Sequence, residues 1–380
     1  MFLALRELAF AKGRFSLMGA VIALIAVLTV ILSGLSSGLV NDGVSGLKSM
    51  PATAFAFDQD TKTDNAFSRS MVDGKQLNAW KEQPGVEAAA PMGTSMMNAV
   101  TNDGTQVDVT FFGVEPKSFI APAISEGRKL GAVNGLVVSE TLREEGVKIG
   151  TTLTLDRIDT ELEVIGFTEG QATFGHVNVA YLPLATWQMI AAGKSPAGVP
   201  TDADTKNLGF DYSSVIALQA ATGSEMDLTA GDAIAKTTSM PLKESFNASP
   251  GYQAETMTLE MIKVFLYAIC ALVVGAFFSV WTIQRKQEIA VLRAIGAPVR
   301  YLLRDGISQA AILLLAFTVL GIAAGVGLGS AMPAGMPFDL ESTPIITAAA
   351  LTVILGLAGA AISIVRIARI DPLSALGGNR

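Results

Sequence analysis

Four stretches of this chain carry no charged residue, and each is long enough to cross a bilayer as a helix. About 30 Å of hydrocarbon takes roughly 20 helical residues, and backbone groups inside it must be satisfied within the helix itself. The first stretch lies between Arg14 and Asp42, with its core at Leu17–Leu39. The second lies between Lys263 and Arg285 and begins a little earlier, near Thr258. The third runs from Gly306 to Phe338, with a glycine-rich end (Gly321, Gly325, Gly327, Gly329) and a turn bounded by Pro333 and Pro337. The fourth fills Ser342–Val365. Small residues recur in all four, which suits close helix–helix approach.

These stretches predict spans at 17–40, 257–284, 306–331 and 343–366, with a short outer loop at 332–342. A length of 380 residues suggests about two or three domains. Only 16% of the residues are charged and 50% are hydrophobic, where soluble domains carry about 25% charge. This argues against an ordinary cytosolic enzyme. A net charge of −7 argues against a nucleic-acid partner. A single cysteine, Cys270, excludes an intrachain disulfide and any CxxC site; a single histidine, His176, excludes an HExxH zinc centre.

Charge asymmetry predicts the orientation. The stretch before span one, residues 285–305 and the tail after span four together hold 11 bases and 4 acids. Residues 41–256 hold 15 bases and 27 acids, a net of −12. Positive segments stay on the cytoplasmic side, so both termini (1–16 and 367–380) and the 285–305 loop are expected there. The large 41–256 domain is expected outside. The first apolar run, roughly 20 residues, exceeds the usual 7–15 of a signal-peptide core and no A-x-A site follows it, so an uncleaved helix is predicted. Residues 1–16 space Phe2, Leu5, Leu8, Ala9 and Lys12 like an amphipathic helix on the inner membrane surface, or a plain extension of span one.

The outer domain reads as mixed α+β in two lobes. β-type runs fall at 52–57, 107–113, 135–138, 152–155, 162–167, 177–182 and 213–218, and helical stretches near 74–81, 184–192 and 227–237. Residues 194–209 are polar and rich in breakers, which predicts an exposed loop. Catalytic chemistry is scarce: there is no GxSxG and no SxxK, and a catalytic triad could use only His176. The acid pairs Glu144–Glu145 and Asp202–Asp204 lack EF-hand spacing and read as solvated surface. No catalytic residue is assigned, and no intrinsic metal or cofactor is expected.

The 284–305 segment, QRKQEIAVLRAIGAPVRYLLRD, places Ile289, Leu292 and Ile295 on one helical face before Gly296 and Pro298 end the helix. It is either a basic interfacial anchor or a coupling helix that docks in a cytoplasmic partner. QEIAVLRAIGAP (287–298) resembles the signature loop of the FtsX/MacB-type (type VII) ABC transporter permeases, whose pattern reads R-x-x-E-I-x-x-L-R-A-[IL]-G-A. The order of one span, a large outer domain and three further spans is also that family's plan. GVEAAAPM (85–92), FFGVEP (111–116), the block 126–155 and RIARIDPLSAL (366–376) resemble further family motifs, so the likeness covers nearly the whole chain.

The resemblance implies a four-helix membrane protein with a MacB/FtsX-like outer domain. It further implies a separate ABC ATPase subunit that binds ATP and Mg, since this chain has no GxxxxGK[ST] to cradle phosphates. Two such subunits would serve a permease homodimer. Gln287, Glu288, Ile289, Leu292, Arg293, Ala294 and Gly296 would then couple to the ATPase, and its cycle would move the outer domains by mechanotransmission.

Within the family, ATAFAFDQD (52–60) with SRS (68–70), and FGHVNVAYLPLATWQ (174–188), resemble the HrtB-type heme-efflux permeases of Gram-positive bacteria, which implies heme as the transported ligand and an HrtA-like ATPase. Heme iron accepts His, Met, Tyr or Cys. On a helix, Met257, Glu260, Met261, Val264 and Ala268 share one face, and two such faces in a dimer could sandwich a flat ligand. Phe57, Tyr252 and His176 complete the candidate set. The plainer readings stay open: methionine as packing filler, a solvated Glu260, a structural His176. So do two other functions, export or extraction of another amphiphile (lipid, lipoprotein, peptide antibiotic) and regulation of a wall hydrolase without transport.

Overall fold

The computed structural model describes residues 12–206, 208–284, 291, 295–296, 298–333 and 336–368. The chain divides into an outer unit, Val40–Glu255, and a membrane unit formed by the chain up to Leu39 and from Thr256 onward. The first helix, α1 (Lys12–Lys48), belongs to both.

In the outer unit follow β1 (Ala54–Asp58), α2 (Ala66–Arg69), β2 (Val72–Asp73), α3 (Gly74–Lys81), β3 (Val86–Thr101), β4 (Gln106–Val114), β5 (Ile124–Gly127) and β6 (Gly135–Val138). Then come β7 (Thr152–Leu155), β8 (Glu161–Thr168), β9 (Thr173–Phe174), β10 (Val177–Pro183), α4 (Leu184–Ala191), β11 (Tyr212–Ser213), β12 (Val215–Ala220), α5 (Leu228–Ala235), β13 (Thr237–Pro241) and α6 (Leu242–Ser245). The long helices α7 (Tyr252–Gln284), α8 (Val299–Ser330) and α9 (Ser342–Ala368) complete the order.

Eleven strands make one sheet, β13-β1-β12-β3-β4-β10-β6-β8-β5. β7 pairs with both β3 and β8, which closes β3-β4-β10-β6-β8-β7 into a ring. A closed ring leaves no strand edge, and its interior is filled by Val109, Phe111, Leu136, Leu155, Leu162 and Val164, all buried. The rest is an open sheet, β13-β1-β12, attached to the first half of β3. β1 shows the two-residue alternation of a strand covered on both faces. Phe55 and Phe57 enter one core with Phe67, while Ala54 and Ala56 enter another beneath α3 and α5, around Trp80 and Ala235. The 16-residue β3 runs through both parts and joins them.

A slot on β3 and β4 fixes α4. Gly93 and Gly113 sit opposite each other across the two strands, and the Trp187 indole lies over both. A Cβ at Gly93 would come within 2.1 Å of that ring, and its Nε1 donates to Ser95 Oγ at 3.1 Å.

In the membrane unit the four long helices share a core of Phe15, Ile22, Cys270, Phe278, Leu314 and Ile364, with other buried side chains. Small residues permit the approach: a Cβ at Gly321 would fall 2.4 Å from the Ala23 carbonyl on α1, and one at Gly359 would fall 2.3 Å from the Ala271 carbonyl on α7. Ser363 Oγ donates to the Gly275 carbonyl at 2.8 Å, a side-chain bond between α7 and α9.

The described part of 331–341 holds no helix or strand and lies against α1. Asp339 N–H donates to the Gly34 carbonyl at 3.0 Å, and the Phe338 ring occupies the space of a Cβ at Gly34. Gly34 and Gly38 thus form a cleft filled by residues 337–338.

The helices are longer than the predicted spans. α1 continues to Lys48 where a span ending at 40 is expected, α7 starts at Tyr252 and not at 257, and α8 starts at Val299. Hydropathy marks only the hydrocarbon-length core, and polar helical ends such as Asn41, Asp42 and Gln253 read as loop. The 1–16 helix falls outside the described residues except for 12–16, which belong to α1, and the 367–380 tail does so except for 367–368, which end α9.

Candidate functional site

The candidate residues fall into separate places, one set in the outer unit and one in the membrane unit. In the outer unit, β9 and β10 pair at Phe174 and Val177, leaving Gly175 and His176 as a two-residue turn. Both have positive φ, 59° and 63°, the left-handed pair that a type I′ hairpin requires. This turn projects the imidazole between two helices. Nδ1 lies 2.9 Å from Asp42 Oδ2 on α1, and Nε2 lies 2.9 Å from Glu255 Oε2 on α7.

The surroundings hold each part in place. α1 breaks at Val44 (φ −145°, ψ 15°), and the Gly43 carbonyl accepts from Gly175 N–H at 2.8 Å and from Ser249 Oγ at 3.4 Å. Ser45 Oγ accepts from Thr173 N–H at 2.9 Å. The second Asp42 oxygen accepts from Gln171 Nε2 at 3.1 Å. A helix rarely bends without a cause such as inserted hydrogen bonds, and here the β9–β10 hairpin supplies them.

Neutral imidazole has one donor and one acceptor nitrogen. Two carboxylates, one at each nitrogen, call for two donors and therefore for the imidazolium ion. Partial burial pulls the ring's pKa down, but the hydrogen bonds and charges of Asp42 and Glu255 outweigh it, so His176 titrates above the ordinary histidine value. The Tyr252 ring packs nearby, edge-on to Phe246 at 6.0 Å. Phe57 is fully buried in the outer-unit core, T-shaped against Phe67 at 5.0 Å, and presents no surface to a ligand.

In the membrane unit, Met257 and Met261 on α7 are exposed, and Glu260 beside them has 68% of its side chain open. Val264, Phe265, Ile269 and Leu272 continue an outward apolar face. Lys263 turns inward, its side chain only 16% exposed, donating to Glu260 Oε1 at 2.9 Å and to Ser36 Oγ on α1 at 3.2 Å. Met257, Glu260, Met261, Val264 and Ala268, the residues expected to share one helical face, are all exposed on α7.

Of the expected coupling residues, Gln287, Glu288, Ile289, Leu292, Arg293 and Ala294 lie outside the described residues. Gly296 is described: it occupies a turn at φ 99°, a left-handed conformation that favours glycine, just before α8 begins.

The chain matches the MacB-like periplasmic core domain family over residues 15–235 and the FtsX-like permease C-terminal family over 261–372. It belongs to the FtsX/MacB family of ABC transporter permeases, membrane proteins with four apolar helices and an α/β extracytoplasmic domain. Among curated relatives, a protein of Staphylococcus haemolyticus named "Putative hemin transport system permease protein HrtB" is 25% identical, with 99% of each chain covered. An uncharacterized ABC transporter permease of Mycobacterium tuberculosis is 24% identical over 100% of this chain and 99% of its own. Among solved structures, the periplasmic region of MacB from Actinobacillus actinomycetemcomitans is 14% identical, covers 50% of this chain and 89% of its own, and has a TM-score of 0.36.

Proposed function

We propose that this chain is the permease subunit of a pump that removes heme from the membrane, driven by a separate, HrtA-like ABC ATPase. The observation that carries the reading is the outward face of α7, where Met257, Glu260 and Met261 stand exposed above Val264. Thioethers are soft and adaptable ligands, a carboxylate near the outer headgroup level is costly unless it has a task or snorkels, and the apolar surface below suits a porphyrin. Full-length similarity to a staphylococcal protein named for hemin transport supports the same reading.

In this reading two copies face each other through α7, each binding one ATPase through the 285–305 loop, and heme reaches the face from the bilayer. The −12 charge of residues 41–256 would repel heme propionates arriving from solution. The termini lie in the cytoplasm and the outer unit outside. His176 serves another task, since both its nitrogens are engaged by carboxylates.

A second reading, export of another amphiphile by the same route, is favoured by the length of the apolar face, which continues to Val280 and Ile283, well beyond Met257, Glu260 and Met261. Hemin titration of the purified permease–ATPase complex separates the two. A saturable Soret shift near one heme per permease dimer, with a change in ATPase rate, supports heme. A shift no larger than that of empty micelles supports the other amphiphile.

A further inference from the structure

Asp42 and Glu255 stand near the two ends of the outer unit, on the helices that carry the chain into it and out of it. They are separated by most of the unit's sequence, yet both contact one imidazole at 2.9 Å. Two carboxylates brought this close repel each other unless a cation lies between them. In the outer unit that cation can be His176, whose ring is held in position by the type I′ turn and by Gly175 N–H bonded to the Gly43 carbonyl.

We propose that His176 is a proton-operated clasp: while its ring is protonated it ties the outer-unit ends of α1 and α7 to one β-turn, and on losing the proton it releases them.

The groups that bear on the ring can be named element by element. α1 contributes Asp42 and the uncharged Gly43, while α7 contributes Glu255 and, beside Gly43, the Tyr252 ring. The 249–250 segment and β3 contribute Ser249, Pro250 and Met96 around the turn, none of them charged. The balance therefore rests on two carboxylates and one imidazole. The sign follows from linkage. A histidine whose folded pKa lies above its unfolded value stabilises the fold fully below the unfolded value, and that contribution disappears as pH rises through the folded value. The clasp is closed under mildly acidic conditions and opens toward alkaline ones. It is independent of which cargo the permease carries.

His176 is the single histidine of the chain, so histidine-selective 13C/15N labelling of the untagged full-length protein gives one assigned imidazole. In the wild type both ring nitrogens are expected to be protonated at mildly acidic pH, with a midpoint above that of free histidine. Asp42→Asn and Glu255→Gln should each move the midpoint toward the free value. At a single mildly acidic pH, hydrogen exchange of the Gly175 amide should quicken several-fold in His176→Gln and stay near wild type in His176→Arg, whose charge persists at all working pH values. A ring titrating at or below the free value overturns the proposal. So does a midpoint unmoved by both carboxylate variants, or a Gly175 exchange rate equal in the Gln and Arg variants. Should His176→Gln fail to fold, the titrations of the wild type and the two carboxylate variants decide alone.

Discussion

Lys263 on α7 donates a 3.2 Å hydrogen bond to Ser36 on α1, and its ammonium also meets Glu260 one helical turn earlier on α7, at 2.9 Å. The ammonium is mostly enclosed whereas the carboxylate is mostly open. Lys263 is therefore a link between helices, and Glu260 keeps an oxygen available on the outward face. Lys263→Met retains the volume and removes the link. Loss of one such bond costs roughly 0.5–1.5 kcal/mol, and the detergent-solubilised protein should melt a few degrees lower. An unchanged melting point would mean that Lys263 reaches water by snorkelling.

Glu260→Gln combined with Met261→Leu should weaken saturable hemin binding at least tenfold while the protein elutes and melts like wild type. Retained binding in that double variant would remove the α7 face as the heme site.

The Trp187 slot gives the outer unit a steric limit. Gly113→Val places a side chain where the Trp187 Cβ already lies, 2.3 Å from an added Cβ. Overpacking of this kind costs typically about 1–3 kcal/mol. Trp187→Ala, which leaves the slot empty, should cost about 3–5 kcal/mol. Thermal melts of the full chain measure both, and wild-type stability in Gly113→Val would show that α4 can move aside.

Gly34→Leu should displace Phe338 from its place on α1 and expose the 331–341 segment to protease, read as faster cleavage between α8 and α9. Phe338→Ala should give the same increase without a clash on α1.

Glu288→Ala or Arg293→Ala in the complex should leave basal ATPase activity of the partner subunit and remove its dependence on the permease. Coupling that survives both would make the 285–305 loop an interfacial anchor.

Much of this architecture is written in local patterns. Charge-free runs mark the four membrane helices because a bilayer imposes hydropathy on every residue that it contacts. Thr152–Leu155 and Gly74–Lys81 are strand and helix as their patterns predict. β3 is different. VEAAAPMGTSMMNAVT holds four Ala together with Glu, Pro, Gly and Asn, all residue types depleted in strands, and it becomes the longest strand because β12, β4 and β7 pair along it. The motif residues Gly113 and Trp187 can be recognised in the sequence, but their common purpose, one indole over a pair of facing glycines, appears only in three dimensions. The carboxylates on either side of His176 are less legible still. Asp42 lies 134 residues away and Glu255 lies 79 away, and no spacing rule connects them. Phe57, a candidate ligand contact by sequence, is turned into the core by the alternation along β1.

The break at Val44 makes the two helices that carry the outer unit mechanically unequal. α1 has a joint, bent and hydrogen-bonded to the hairpin, whereas α7 runs through 33 residues from Tyr252 to Gln284 as one unbroken helix. α1 can therefore change direction at Val44 without giving up a further helical hydrogen bond, whereas any bend in α7 has to break one.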